Sequence, residues 1–198
     1  MQTALPVRLR THENLFGLAD IRGGRIALAF SATALMAICA HVSLPLFFTP
    51  VPLTLQTFGV LLTGFLLGPS LGFSAMLLYL AEGAVGLPVF SPGGPGGMAQ
   101  LIGVTGGYLL SYPFAAALAG FLVRSFGKRR SRFGIAVAGG IAGTLLTLLM
   151  GGMWISLISH ANLQTSATLG IAPFLPGEVI KIIAAAGAFS AMHRYARQ

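Results

Sequence analysis

The chain has 198 residues, 55% of them hydrophobic and only 8% charged, with a mean hydropathy of +0.84. Soluble domains carry roughly 25% charged residues, so most of this chain is expected in lipid, with little length left for a soluble catalytic or regulatory domain. Twelve Lys and Arg against four Asp and Glu give a formal net charge of +8; in a membrane chain that excess reports loop topology and does not point to nucleic acid.

The predicted elements follow from apolar runs and their breaks. The first 24 residues lack the short apolar core of a signal peptide, and the run that follows is too long to be one, so the first span is expected to stay. That span reads Arg25 to Leu44. The Pro45–Pro52 stretch cannot continue a helix and is expected to bend. A second span runs from about Leu53 to Gly68, with Gly68-Pro69-Ser70 as a tight turn, and a third from about Leu71 to Val85. Gly86 to Gly97 has too much Gly and Pro for regular helix. A fourth span covers Val104 to Phe126, a fifth Phe133 to Ile158, then a loop from Ser159 to Phe174 and a last helix from Pro176 to about Tyr195.

Charge tests this count. With the N-terminus inside, the inner segments hold Arg8, Arg10, Arg22, Arg25, Arg124, Lys128, Arg129, Arg130, Arg132, Arg194 and Arg197, while the outer segments 45–52, 86–103 and 159–174 hold no basic residue. Eleven of the twelve basic residues thus fall on one side, and Lys181 alone lies within the membrane. The expectation is an all-α integral membrane protein: a bundle of six transmembrane helices over residues 25–195, with a cytoplasmic N-terminal segment 1–24 and a cytoplasmic tail 196–198. It is expected in a bacterial cytoplasmic (inner) membrane.

Small residues recur at helical spacing: Ala29, Thr33 and Ala37 on the first span, and Gly139, Gly140, Gly143 and Thr144 on the fifth. Such faces let helices approach closely, either inside the bundle or against another membrane protein. Cys39 is a lone cysteine in an apolar stretch and reads as a packing residue.

Ionisable groups are expensive within a membrane and so mark candidate sites. Three qualify: Glu82, Glu178 and Lys181. Glu178 and Lys181 are three residues apart and share a helix face. Pro176 suits a first helical turn, which would place Glu178 beside the positive helix end. Lys181 would then receive a ligand carboxylate while Glu178 accepts ligand N–H groups. The competing reading is an ion pair that only staples the helix end. Glu82 is either another acceptor or a hydrated junction residue. Gln56, Phe90, Ser91, Thr105 and Tyr108 complete the candidate slot from the irregular outer segments. Trp154 reads as an interfacial anchor or a pocket wall. No phosphate-binding loop, metal-ligand spacing among His12, His41, His160 and His193, or serine with base partners is present in the sequence. No catalytic residue, metal or cofactor is therefore expected.

Four ordered motifs then carry a resemblance: Pro50-Val-Pro-Leu-Thr-Leu-Gln-Thr57, Tyr79-Leu-Ala-Glu-Gly-Ala-Val-Gly-Leu-Pro-Val-Phe90, Thr105-Gly-Gly-Tyr-Leu109 and Phe174-Leu-Pro-Gly-Glu-Val-Ile-Lys181. Over about residues 25 to 195 the chain resembles the BioY family, the biotin-binding S components of energy-coupling factor (ECF) vitamin transporters. The resemblance implies high-affinity capture of biotin from outside, and docking on a transmembrane T subunit and two ATPase subunits that supply the energy. It also implies that Glu178 and Lys181 contact biotin, Glu178 standing where that family usually has Asp. The arginine or asparagine that some members place near the outer ends of helices three and four has no counterpart between Phe90 and Tyr108. The small face Ala29, Thr33, Ala37 would be the docking surface for the T subunit. Rival readings are an autonomous secondary carrier for biotin or a similar small carboxylated solute, acting alone or as a homo-oligomer, and an intramembrane enzyme using Glu82 or Glu178.

Overall fold

The structure is a computed structural model and describes residues 22–126, 131–160 and 162–195. Most of the basic residues that define the inner segments (Arg8, Arg10, Lys128, Arg129, Arg130 and Arg197) lie outside the described residues.

The fold is all-helical apart from one two-residue β-ribbon. In chain order the elements are α1 (Arg22–His41), β1 (Ser43–Leu44), β2 (Leu53–Thr54), α2 (Gln56–Ala84), α3 (Gly97–Ile102), α4 (Gly106–Phe126), α5 (Arg132–Ser159), α6 (Leu163–Gly170), a 3-10 turn (Ala172–Phe174) and α7 (Leu175–Tyr195). Among the described residues five helical stretches are long and apolar enough to cross a membrane: Gly23–His41, Gln56–Ala84, Gly106–Phe126, Arg132–Ser159 and Gln164–Arg194.

The second of these is bent. Gly68 inside α2 is non-helical (φ 77°, ψ −175°) and is followed by Pro69. In a straight helix Gln56 and Tyr79 would stand roughly 35 Å apart, at about 1.5 Å per residue. Instead Gln56 Nε2 donates to the Tyr79 hydroxyl at 2.9 Å, and a Cβ on Gly72 would lie 3.4 Å from the Gly64 Cα. The chain doubles back at Gly68, and its arms, 56–67 and 69–84, lie side by side. Glycine takes the positive φ at no steric cost, and Pro69 suits the first turn of the next arm. Arg124 closes the turn: its Nη2 donates to the Leu67 carbonyl at 2.7 Å, and its guanidinium fills the space a Gly68 side chain would need.

Helix α4 is the centre of the bundle, packed against both arms of α2 and against α5. Close approach rests on small residues. The Ala116 carbonyl sits 2.4 Å from where a Gly64 Cβ would be, and the Gly64 carbonyl 2.5 Å from a Gly120 Cβ. On α5, Gly139 and Gly143 face the Ala119 and Ala115 carbonyls of α4, while Gly140 faces Ile182 of α7. The small residues of the fifth span therefore serve packing inside the chain.

The three segments 45–52, 86–103 and 159–174 carry more structure than their composition suggests. The 45–52 bend is closed by the antiparallel ribbon pairing Ser43 with Thr54 and Leu44 with Leu53, so the second helix begins at Gln56 and not at Leu53. The glycine-rich 86–103 stretch ends in α3, capped where the Gln100 side chain accepts from the Gly96 amide at 3.1 Å. Half of the expected 159–174 loop is α6, whose first turn is capped by Asn162 accepting from the Thr165 amide at 2.7 Å.

On the small face of α1, Ala29 is 9% and Thr33 3% exposed, and Thr33 Oγ1 donates to Glu82 Oε1 of the second arm of α2 at 3.1 Å. Ala37 is half-buried.

Candidate ligand-binding site

Seven elements converge on one cavity next to the 45–52 and 86–103 segments. Its walls come from the 51–57 segment, Ser91, Gln100, the start of α4, Thr147 and Leu148 of α5, Phe174, and Glu178 and Lys181 of α7. It encloses about 40 Å³, or about 510 Å³ when its open mouth is counted. A second, shallower space of about 330 Å³ lies between the 43–52 loop and Pro92-Gly93, and Pro52 is a wall of both.

The polar core of the cavity is the α7 pair. Lys181 Nζ donates to Glu178 Oε1 at 2.5 Å, with the side chains 8% and 6% exposed. Glu178 lies in the first turn of α7, where the helix end favours a negative charge. Thr57 Oγ1 donates to the same carboxylate oxygen at 3.2 Å. Glu178 Oε2 is buried and has no partner among the described residues. A buried carboxylate oxygen without a donor is costly, and here it borders a cavity.

The surrounding hydrogen bonds hold the walls in place. Thr54 Oγ1 donates to Gln56 Oε1 at 3.0 Å, Gln56 Nε2 to Tyr79 OH, and Tyr79 OH to the Val89 carbonyl at 2.8 Å. Gln56 is thus a strut whose amide is engaged at both ends. Gln100 Nε2 donates to Ser91 Oγ at 3.1 Å, which leaves the Ser91 hydroxyl proton to be donated elsewhere. Ser111 Oγ lies 3.1 Å from Thr147 Oγ1 on α5. Over the top, Thr49 Oγ1 donates to the Leu169 carbonyl at 2.7 Å and Tyr108 OH to the Gly170 carbonyl at 2.5 Å, tying the 45–52 loop and α4 to α6.

Of the eight residues nominated from sequence, Gln56, Ser91, Thr105, Tyr108, Glu178 and Lys181 line this cavity. Two do not. Glu82 is turned to α1, where it accepts from Thr33. Phe90 is 4% exposed and packs edge-on against Tyr79, its ring lying over Gly83. Trp154 is a clamp outside the cavity: Nε1 donates to the Gly103 carbonyl at 2.9 Å and the ring covers Gly107.

Thr57, Gln100, Tyr112 and Thr147 line the cavity without having been nominated. Tyr112 had a legible signal, lying four residues after Tyr108 and therefore on the same face of α4. Its hydroxyl has no hydrogen-bond partner among the described residues, although the residue is only 4% exposed. Replacing Tyr112 by Phe is expected to weaken ligand binding about three- to tenfold, the range of one neutral hydrogen bond, without loss of folded protein. A binding isotherm identical to wild type would remove Tyr112 from the polar set.

Residues 11–198 match the family model described as the BioY family. The chain belongs to the BioY family. A probable biotin transporter BioY from Pyrococcus horikoshii is 35% identical over 161 residues, covering 81% of this chain and 91% of that protein. The biotin transporter BioY of Thermotoga maritima is 35% identical over 154 residues, covering 78% and 86%. A crystal structure of the S-component for biotin from an ECF-type ABC transporter superposes with a TM-score of 0.78 at 29% identity, covering 86% of this chain and 90% of that one. The BioY match extends over all four motifs that carry the resemblance and over every cavity wall.

Proposed function

We propose that this chain captures biotin from the outer side of the membrane with high affinity, as the substrate-specific S component of an ECF-type ATP-driven importer. It holds its cargo without chemistry on it, and uptake draws on a T subunit and two ATPase subunits. The observation that carries the reading is Glu178 Oε2, a buried acceptor with no partner at the edge of a cavity whose other walls are largely apolar and hydroxylated.

The geometry also refines which end of the ligand meets the α7 pair. Lys181 is already neutralised by Glu178 Oε1. A carboxylate brought to Lys181 would set a second anion beside Oε2, which a low-dielectric site penalises. The ureido ring of biotin presents N–H and C=O side by side. Its N–H suits Glu178 Oε2, and its carbonyl suits the N–H groups that Lys181 does not spend on Glu178. The apolar bicycle and tail then run toward Pro52 and the outer space, with the carboxylate at the wet end.

On this reading the chain crosses a bacterial inner membrane six times, with both termini in the cytoplasm and residues 25–195 as the membrane domain. The reversal at Gly68 supports counting the two arms of α2 as separate crossings, and the arginines of the expected inner segments support the orientation.

Purified chain in lipid nanodiscs is expected to bind radiolabelled biotin saturably, with competition by analogues that keep the ureido ring but lack the carboxylate. Cells lacking all T and ATPase subunits are expected to bind biotin without accumulating it. Absence of saturable binding would overturn the capture reading, and accumulation in those cells would favour an autonomous carrier.

A further inference from the structure

A second polar cavity lies at the opposite end of the bundle, remote from the biotin site. It occupies about 180 Å³ between the start of α5 and the end of α7, and is lined by Ser131, Arg132, Phe133, Ser190, His193 and Arg194. Water needs roughly 10–15 Å³ of such space, so a solvated anion fits.

Four features of this cavity point to one ligand chemistry. Arg132 and Arg194 have no acidic partner among the described residues, since Glu82 accepts from Thr33 while Glu178 accepts from Thr57 and Lys181. Ser131 makes no side-chain cap on α5, so the first-turn N–H groups of a 28-residue helix remain open at its positive end. Ser190 Oγ is buried with no partner among the described residues and borders the cavity. Phe133, 43% exposed, adds an apolar ring to the lining beside the arginines.

Guanidinium forks, open helix amides and a hydroxyl are the donors that a tetrahedral oxyanion takes up. We infer that this cavity is a phosphate-binding site at the cytoplasmic end of the bundle, occupied by the headgroup phosphate of an anionic lipid. Phe133 supplies the apolar surface on which the acyl chains of such a lipid would begin. The chemistry is shared with free inorganic phosphate, and the experiment separates the two sources. Arg132 and Arg194 hold the phosphate oxygens, Ser190 donates a neutral hydrogen bond, and α5 supplies its N-terminal amides.

The test uses the full chain in phosphatidylcholine nanodiscs, with phosphatidylglycerol titrated in one arm and inorganic phosphate in the other. Native mass spectrometry counts retained phosphatidylglycerol, and a biotin isotherm reports folding. Arg132→Gln/Arg194→Gln is expected to weaken phosphatidylglycerol retention about tenfold or more, with biotin binding unchanged. The charge-matched Arg8→Gln/Arg10→Gln variant should lose about twofold or less, and Ser190→Ala, which keeps every charge, about threefold. Competition by inorganic phosphate in wild type, absent in the Arg132→Gln/Arg194→Gln variant, would support the same site with free phosphate as its source. Equal losses in both arginine pairs, or wild-type retention in the Ser190→Ala and Arg132→Gln/Arg194→Gln variants, would overturn the proposal.

Discussion

Replacing Lys181 by alanine is expected to weaken biotin binding by about 100-fold or more, and to destabilise the chain as well. Two losses coincide. The ligand forfeits a charge-assisted hydrogen bond, commonly about 1.5–3 kcal/mol. Glu178, 4% exposed, is left as a buried carboxylate without its cation, a change that costs about 3–5 kcal/mol in proteins. A drop in affinity alone would not separate these effects, so the neutral pair Glu178→Gln/Lys181→Met is the informative companion. It keeps similar volume and removes both charges, so it is expected to recover much of the stability while still failing to bind biotin. Equilibrium binding together with thermal unfolding of both variants checks this. If Lys181→Ala bound biotin with wild-type affinity, the pair would be a staple for the helix end and the site would have to be sought elsewhere in the cavity.

The second large effect lies away from the ligand. Gly64→Val is expected to destabilise the bundle by about 3 kcal/mol or more, the upper range for overpacking, because the Ala116 carbonyl would stand 2.4 Å from the new Cβ. Neither partner can yield without moving backbone, since Gly64 lies on the first arm of α2 and Ala116 on α4. For a chain of about 200 residues that corresponds to a fall of roughly 10 °C in the melting midpoint. Gly187→Ala is the control: nothing lies within 4 Å of its added Cβ, and alanine favours helix over glycine by about 1 kcal/mol. A Gly64→Val chain melting with wild type would show that the α2–α4 contact is looser than the structure has it.

Much of the site was legible because charge within a membrane is conspicuous. Glu178 and Lys181 announce themselves by cost and by a spacing of three, and the structure places them on one wall of the cavity. Glu82 announces itself by the same cost, yet it faces α1 and accepts from Thr33; cost identifies an ionisable group but not the direction it faces. Phe90 was drawn in by its motif, and the structure uses its ring to cover Gly83 under Tyr79. Thr57, Gln100 and Thr147 escaped notice because a lone hydroxyl or amide on an apolar helix has the same signature wherever it points.

By itself the sequence determined the solvent, the breaks between helices, the clustering of basic residues in alternate segments and, through four motifs, the family. Those properties are local or additive: hydropathy sums along a run, Gly68-Pro69 interrupts a helix whatever surrounds it, and each arginine adds to its own loop. Which face of each helix turns inward was decided only by the tertiary structure. In water, burial separates apolar from polar residues, and periodicity reveals the inner face. In lipid, the outward face is as apolar as the inward one, so from sequence Ala29 and Thr33 read equally well as a docking surface or as core, and only the structure shows that both are buried. The same degeneracy hid the convergence of Thr57, Tyr112 and Thr147 on the cavity that Glu178 lines, because residues from three helices share a cavity only after packing has set the rotation of each.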